Sequence, residues 1–123
     1  VGPSDMARKE GLEMKSYPLI ASLKEQLRAE VLRRGGGYWD LYDVMGGEGS
    51  MVQWVEHRPA WAVKDYIHFT PKGASKVGYA LVAALKELEM EYQEVMDLLA
   101  AEKQRIQDST AAFKMSQGTG VEL

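Results

Sequence analysis

Leu19, Ile20, Leu23, Leu27, Val31 and Leu32 recur every three to four residues, the spacing of one face of an α-helix. Glu25, Arg28, Glu30, Arg33 and Arg34 fill the other faces. Ser16 offers an N-terminal cap, with Pro18 close behind in the first turn. Gly35-Gly36-Gly37 stops the helix, just after basic residues that suit the negative end of its dipole. Before it, Val1 to Met14 is short, polar and punctuated by Gly and Pro, and reads as a loop. After it, Tyr38-Trp39-Asp40-Leu41-Tyr42-Asp43-Val44 is aromatic, partly alternating and β-branched at its end, which predicts a strand. Met45 to Lys64, with Gly46, Gly47, Gly49 and Pro59, reads as a loop, although Met51, Trp54 and Trp61 give it much apolar bulk.

Thr70-Pro71 predicts the start of a second helix: a capping hydroxyl, then proline where its missing N–H is harmless. Leu81, Leu85, Leu88, Tyr92, Val95 and Leu99 alternate by four and three, and Ile106 and Phe113 stay in phase. Glu102 and Ser109 are polar interruptions of this heptad-like seam. The seam fits either a coiled coil or helical hairpin that mediates self-association, or an amphipathic helix lying on its own domain. Residues 89–113 are expected to be a helical extension and 114–123 a disordered tail. One predicted strand cannot make a sheet, so neighbouring strands are expected from residues outside these 123 or from another chain.

Composition narrows the functional classes. The chain has 123 residues, 46% hydrophobic and 27% charged, which is ordinary for a globular protein. A formal net charge of −3 gives no footprint for nucleic acid and no basic face for anionic lipid. No apolar run approaches the roughly 20 residues of a membrane span. Cysteine is absent, which excludes disulfides, thiolate chemistry and Cys-ligated zinc. The two histidines, His57 and His68, are far apart and share no ligand spacing, so no metal site is expected.

Asp65-x-x-His68 is the constellation that can carry chemistry. A serine nucleophile needs an imidazole to take its proton at neutral pH. The imidazole must be held in one tautomer, and a carboxylate on its Nδ1–H does this. An Asp three residues before the His, in a turn just ahead of a helix, can reach that nitrogen. The alternative is a turn whose Asp and His only hydrogen-bond the backbone.

Asp65-Tyr66-Ile67-His68-Phe69-Thr70-Pro71-Lys72-Gly73 resembles the final conserved block of SGNH/GDSL-type hydrolases, a serine esterase family. Gly2-Pro3-Ser4-Asp5 resembles that family's G-x-N-D block, and the resemblance runs over roughly residues 1–88. It implies the C-terminal half of a flavodoxin-like three-layer α/β/α sandwich with a parallel sheet, followed by a long helix. It also implies ester hydrolysis without metal or organic cofactor. On this resemblance His68 is the general base and Asp65 its orienting partner. Ser4 stands where the family usually has the oxyanion-hole asparagine, a departure that leaves a shorter donor. Ser4-Asp5 also reads as a capping or Asx-turn pair.

The family's nucleophile block is absent. Ser16, Ser22, Ser50, Ser75, Ser109 and Ser116 do not sit in a Gly-framed strand-to-helix turn, although Ser50 has a Gly-rich setting. The nucleophile is therefore expected from the N-terminal half of the same hydrolase domain, and this chain alone is expected to be inactive. Trp61 and Trp54 could line an acyl or sugar pocket, or could be core. By family analogy the substrate is an acylated small molecule or an O-acetylated polysaccharide such as peptidoglycan, in a bacterial periplasm or cell envelope. The rival expectation is a non-catalytic helical interaction or assembly module.

Overall fold

The computed structural model describes residues 1–118. The chain divides into two compact units, Val1–Val82 and a second from Ala83 onward. The first holds two strands and three short helices, β1 (Ala7–Glu10), β2 (Glu13–Ser16), α1 (Ile20–Arg33), α2 (Leu41–Met45) and α3 (Ser50–Glu56), and the start of α4 (Pro71–Gly118). The second is the remainder of α4.

The expected parallel sheet is not there. Among the described residues the sheet has two strands, β1 and β2, paired antiparallel with Ala7 opposite Ser16 and Glu10 opposite Glu13. Most of the described residues are helical, so the flavodoxin-like sandwich is overturned. The hairpin lies in the segment that reads as a loop. Its two-residue turn depends on Gly11, whose φ of 64° lies in the left-handed region. Ala7 faces the core, and Arg8 and Glu10 form an exposed ion pair, so short alternation is hidden under a polar composition.

The predicted strand at Tyr38–Val44 is a helix instead. Asp40 caps α2 by accepting from the Asp43 N–H at 3.1 Å. Lys24, nearly buried on α1, donates to both Asp40 and Asp43 at 2.8 Å. Residues 40 and 43 come onto one side only if the backbone is helical. Leu41, Tyr42 and Met45 are then buried together, at helical spacing rather than at alternate positions. These two carboxylates push the Lys24 pKa well above the ordinary lysine range.

The predicted loop from Met45 to Lys64 contains α3. Met51, Trp54 and Val55 fall one turn apart and enter the core, and Trp54 Nε1 donates to the Met45 carbonyl at 3.1 Å. Helix α3 has no side-chain cap of its own. Its Met51 N–H instead donates to Asp5, fully buried, at 2.9 Å. Asp5 also accepts from the Ser16 hydroxyl at 2.8 Å, and Ser16 Oγ accepts from the Gly49 N–H at 2.8 Å. Ser16 is thus spent at the end of β2, not as the expected cap of α1, whose N-cap is Leu19 with no side-chain bond.

The core joins Ala7, Leu41, Met45, Met51, Trp54, Val55 and Ala62. Of the α1 stripe only Ile20 is buried, and Leu19, Leu23, Leu27 and Leu32 stay exposed. Helix α4 starts where the sequence predicts. Thr70 Oγ1 accepts from the Gly73 N–H at 3.2 Å while its proton goes to the Ala60 carbonyl at 2.8 Å. The helix continues through Gly118, and residues 119–123 of the expected tail lie outside the described residues. No helix of the described residues is long and apolar enough to cross a membrane.

Candidate functional site

Asp65 and His68 sit in a tight excursion between α3 and α4. Trp61 N–H bonds the Trp54 carbonyl, Val63 N–H the His68 carbonyl at 2.8 Å, and Thr70 N–H the Trp61 carbonyl at 3.0 Å. Ala62 and Phe69 form an isolated antiparallel bridge that closes the neck. Within it, Asp65 Oδ1 accepts from the backbone N–H groups of Ile67 and His68, both at 3.0 Å. Turning those amides back onto one carboxylate puts Tyr66 at φ 59°, a left-handed conformation that costs a side-chain-bearing residue about 1 kcal/mol. Tyr66 packs against the core, and its carbonyl accepts from the Ala7 N–H at 3.1 Å. That bond ties the segment after Ser4-Asp5 to the excursion.

The second oxygen, Asp65 Oδ2, lies 2.6 Å from His68 Nδ1. The two backbone N–H groups and the imidazole hold the Asp65 pKa down to about 2. Asp65 is therefore ionised at neutral pH and can only accept. His68 Nδ1 must then carry the proton, which leaves the Nε2 lone pair free in the neutral ring. The His68 side chain is 76% exposed, so Nε2 is open to an incoming hydroxyl. The arrangement can orient an imidazole and take a proton from a group brought to it.

The other predicted residues lie elsewhere. Ser4 is half-buried, and among the described residues no hydrogen bond joins it to Asp65 or His68. Ser50 is buried with its hydroxyl on Asp5, and Ser16 is bonded there too, so neither can serve His68. Trp54 is a core residue, 5.5 Å edge-on from Trp61 between ring centroids. Trp61 is half-buried, stacked on His57 at 3.5 Å, with the Lys76 ammonium 4.3 Å from its ring centroid. Both tryptophans line an open, mostly apolar groove of about 720 Å³ with Val44, Ser75, Lys76 and Tyr79. Asp65 and His68 do not line it. No cluster of three or more His, Cys, Asp or Glu is placed to hold a metal among the described residues.

The structural roles of Asp5, Lys24 and Gly73 escape a reading of the sequence. A Cβ at Gly73 would collide with the Trp61 carbonyl oxygen, so the first turn of α4 lies directly against the excursion. Only the Gly two residues after Pro71 hints at this, and a glycine inside a helix has several explanations.

No family model matches the chain, and no curated protein or solved structure is similar to it.

Proposed function

We infer that this chain supplies the base and the orienting carboxylate of a serine-type carboxylic-ester hydrolase. The observation that carries the reading is the 2.6 Å contact between His68 Nδ1 and an Asp65 that is ionised, with Nε2 open to solvent. A serine hydroxyl would give its proton to His68 Nε2 as its oxygen attacks the ester carbonyl. The imidazolium, stabilised by Asp65, would return that proton to the departing alcohol. Water would repeat the cycle against the acyl-serine, with His68 again as base. The motif resemblance favours a small acyl group, acetyl in the first instance, on a hydroxyl of a small molecule or polysaccharide.

On this reading the nucleophile is a serine other than Ser16 and Ser50, whose hydroxyls are bonded to Asp5. The exposed stripe Leu19, Leu23, Leu27 and Leu32 supports further protein packing on the first unit.

The test uses the complete natural gene product with 4-nitrophenyl acetate. His68→Ala should lower kcat by about 10⁶-fold without a change in fold. Full activity in that variant, or no serine labelled by a fluorophosphonate, overturns the reading. A second reading, a non-catalytic assembly module, is favoured by the exposed apolar face of α4.

A further inference from the structure

Beyond residue 83, α4 is a helix whose side chains are solvated on almost every face. Leu85, Leu88, Tyr92, Val95, Leu99 and Ile106 are all more than half exposed, yet they form one seam. Such a stripe is stable in water only when covered. The charges beside it say by what.

In heptad terms, Leu85, Tyr92, Leu99 and Ile106 occupy a, and Leu88, Val95, Glu102 and Ser109 occupy d. The flanking e positions are then Glu89, Met96 and Lys103, and the g positions Glu91, Leu98 and Arg105. The acidic pair lies toward the N-terminal end of the seam and the basic pair toward the C-terminal end, with Met96 and Leu98 between them. This polarity makes the helix complementary to itself when reversed.

We propose that residues 85–109 of α4 pair with the same residues of a second copy as an antiparallel coiled coil, with its two-fold axis at Asp97. Antiparallel packing sets a against d of the other helix, and e against e and g against g. With the axis at Asp97, Val95 of each copy meets Leu99, and Leu88 meets Ile106. Glu89 then faces Lys103 across the e–e flank, and Glu91 faces Arg105 across the g–g flank. Met96 and Leu98 each meet their own counterpart at the axis. Tyr92 lies opposite Glu102, where its hydroxyl can donate to the carboxylate. Within its own helix Glu102 is also paired with Arg105 at 2.7 Å, which lowers the penalty of a carboxylate in the seam.

The alternatives fail on the same residues. A parallel pair would stack Glu102 on Glu102 in the seam. It would also set Glu91 against Met96, Leu98 against Lys103 and Arg105 against Thr110, with no opposite charges matched. Sliding the antiparallel pair by one heptad puts Glu91 opposite Leu98 or Ala112. Only one register satisfies both charge pairs at once. The reversed arrangement also sets each helix dipole head to tail.

The full 123-residue chain carries the test, by sedimentation equilibrium up to about 100 µM, where mass action populates a dimer of modest affinity. The unchanged chain should be a dimer. Glu89→Lys with Glu91→Lys makes both flanks all-basic, and Lys103→Glu with Arg105→Glu makes both all-acidic. Each double variant alone should raise the dimer Kd at least tenfold, and an equimolar mixture should form a heterodimer tighter than either. All four positions are exposed, so circular dichroism should show native helix content in every variant. A monomer at the highest concentration overturns the proposal. So do double variants that dimerise like the parent chain, or a mixture that does not associate.

Discussion

The carbonyl oxygen of Trp61 fills the space where a side chain at residue 73 would begin. The first turn of α4 is therefore pressed onto the neck of the excursion that holds Asp65 and His68. Gly73→Ala should destabilise the first unit by about 3 kcal/mol, because backbone must move to admit the methyl. Gly78, five residues on in the same helix, has nothing near its Cβ position. Gly78→Ala should stabilise by up to about 1 kcal/mol through helix propensity alone. Urea midpoints of the two variants should move in opposite directions, and equal shifts would refute the close approach.

Asp65 sets a pH dependence of definite sign. Its folded pKa, about 2, lies below the ordinary 3.8, so the unfolded chain takes up the proton first as pH falls. The stability it contributes is fully present above about pH 3.8 and is lost as pH falls through about 2. A carboxyl ¹³C titration should place the Asp65 midpoint near 2. In Asp65→Asn the His68 ring should lose its fixed tautomer, visible as exchange between the two imidazole nitrogens in ¹⁵N spectra. A midpoint near the ordinary value would mean that the three bonds to Asp65 are not formed in solution.

Asp5 is fully buried and accepts from Ser16, Ser50 and the Met51 amide. Asp5→Ala would strand the donors of Ser16 and Met51 without water, which costs on the order of 3 kcal/mol. Thermal unfolding of the first unit should fall accordingly. An unchanged midpoint would show that Asp5 does not tie the hairpin to α3.

Thr70→Ala removes the cap of α4 and the bond to Ala60 together. The expected loss is about 1–2 kcal/mol. Thr70→Ser keeps the hydroxyl and should recover most of it, which separates the hydrogen bonds from the packing of the methyl group.

Some signals that act within a single turn are legible in the sequence, and those that depend on packing between segments are not. Thr70-Pro71 marks a helix start because capping and the fixed φ of proline act within one turn. The contact of Asp65 with His68 spans three residues and could be anticipated from spacing alone. The strand expected at Tyr38–Val44 failed because its aromatic and β-branched residues fit a strand or a short helix equally. Lys24, nineteen residues before Asp43, decided for the helix. The parallel sheet implied by motif resemblance failed with that strand. Helix α3 was missed because Gly49 and Pro59 punctuate a segment whose apolar spacing spans only two turns.

By itself, then, the sequence determined the apolar spacing along α4, the start of that helix and the contact of Asp65 with His68. These depend on backbone periodicity and on neighbours a few residues apart. Only the tertiary structure decided that the polar N-terminal segment is a hairpin, that Asp5 is its buried anchor and that Gly73 must lack a side chain. Those features rest on contacts between segments as much as 46 residues apart, whose free energy appears only once both sides are packed.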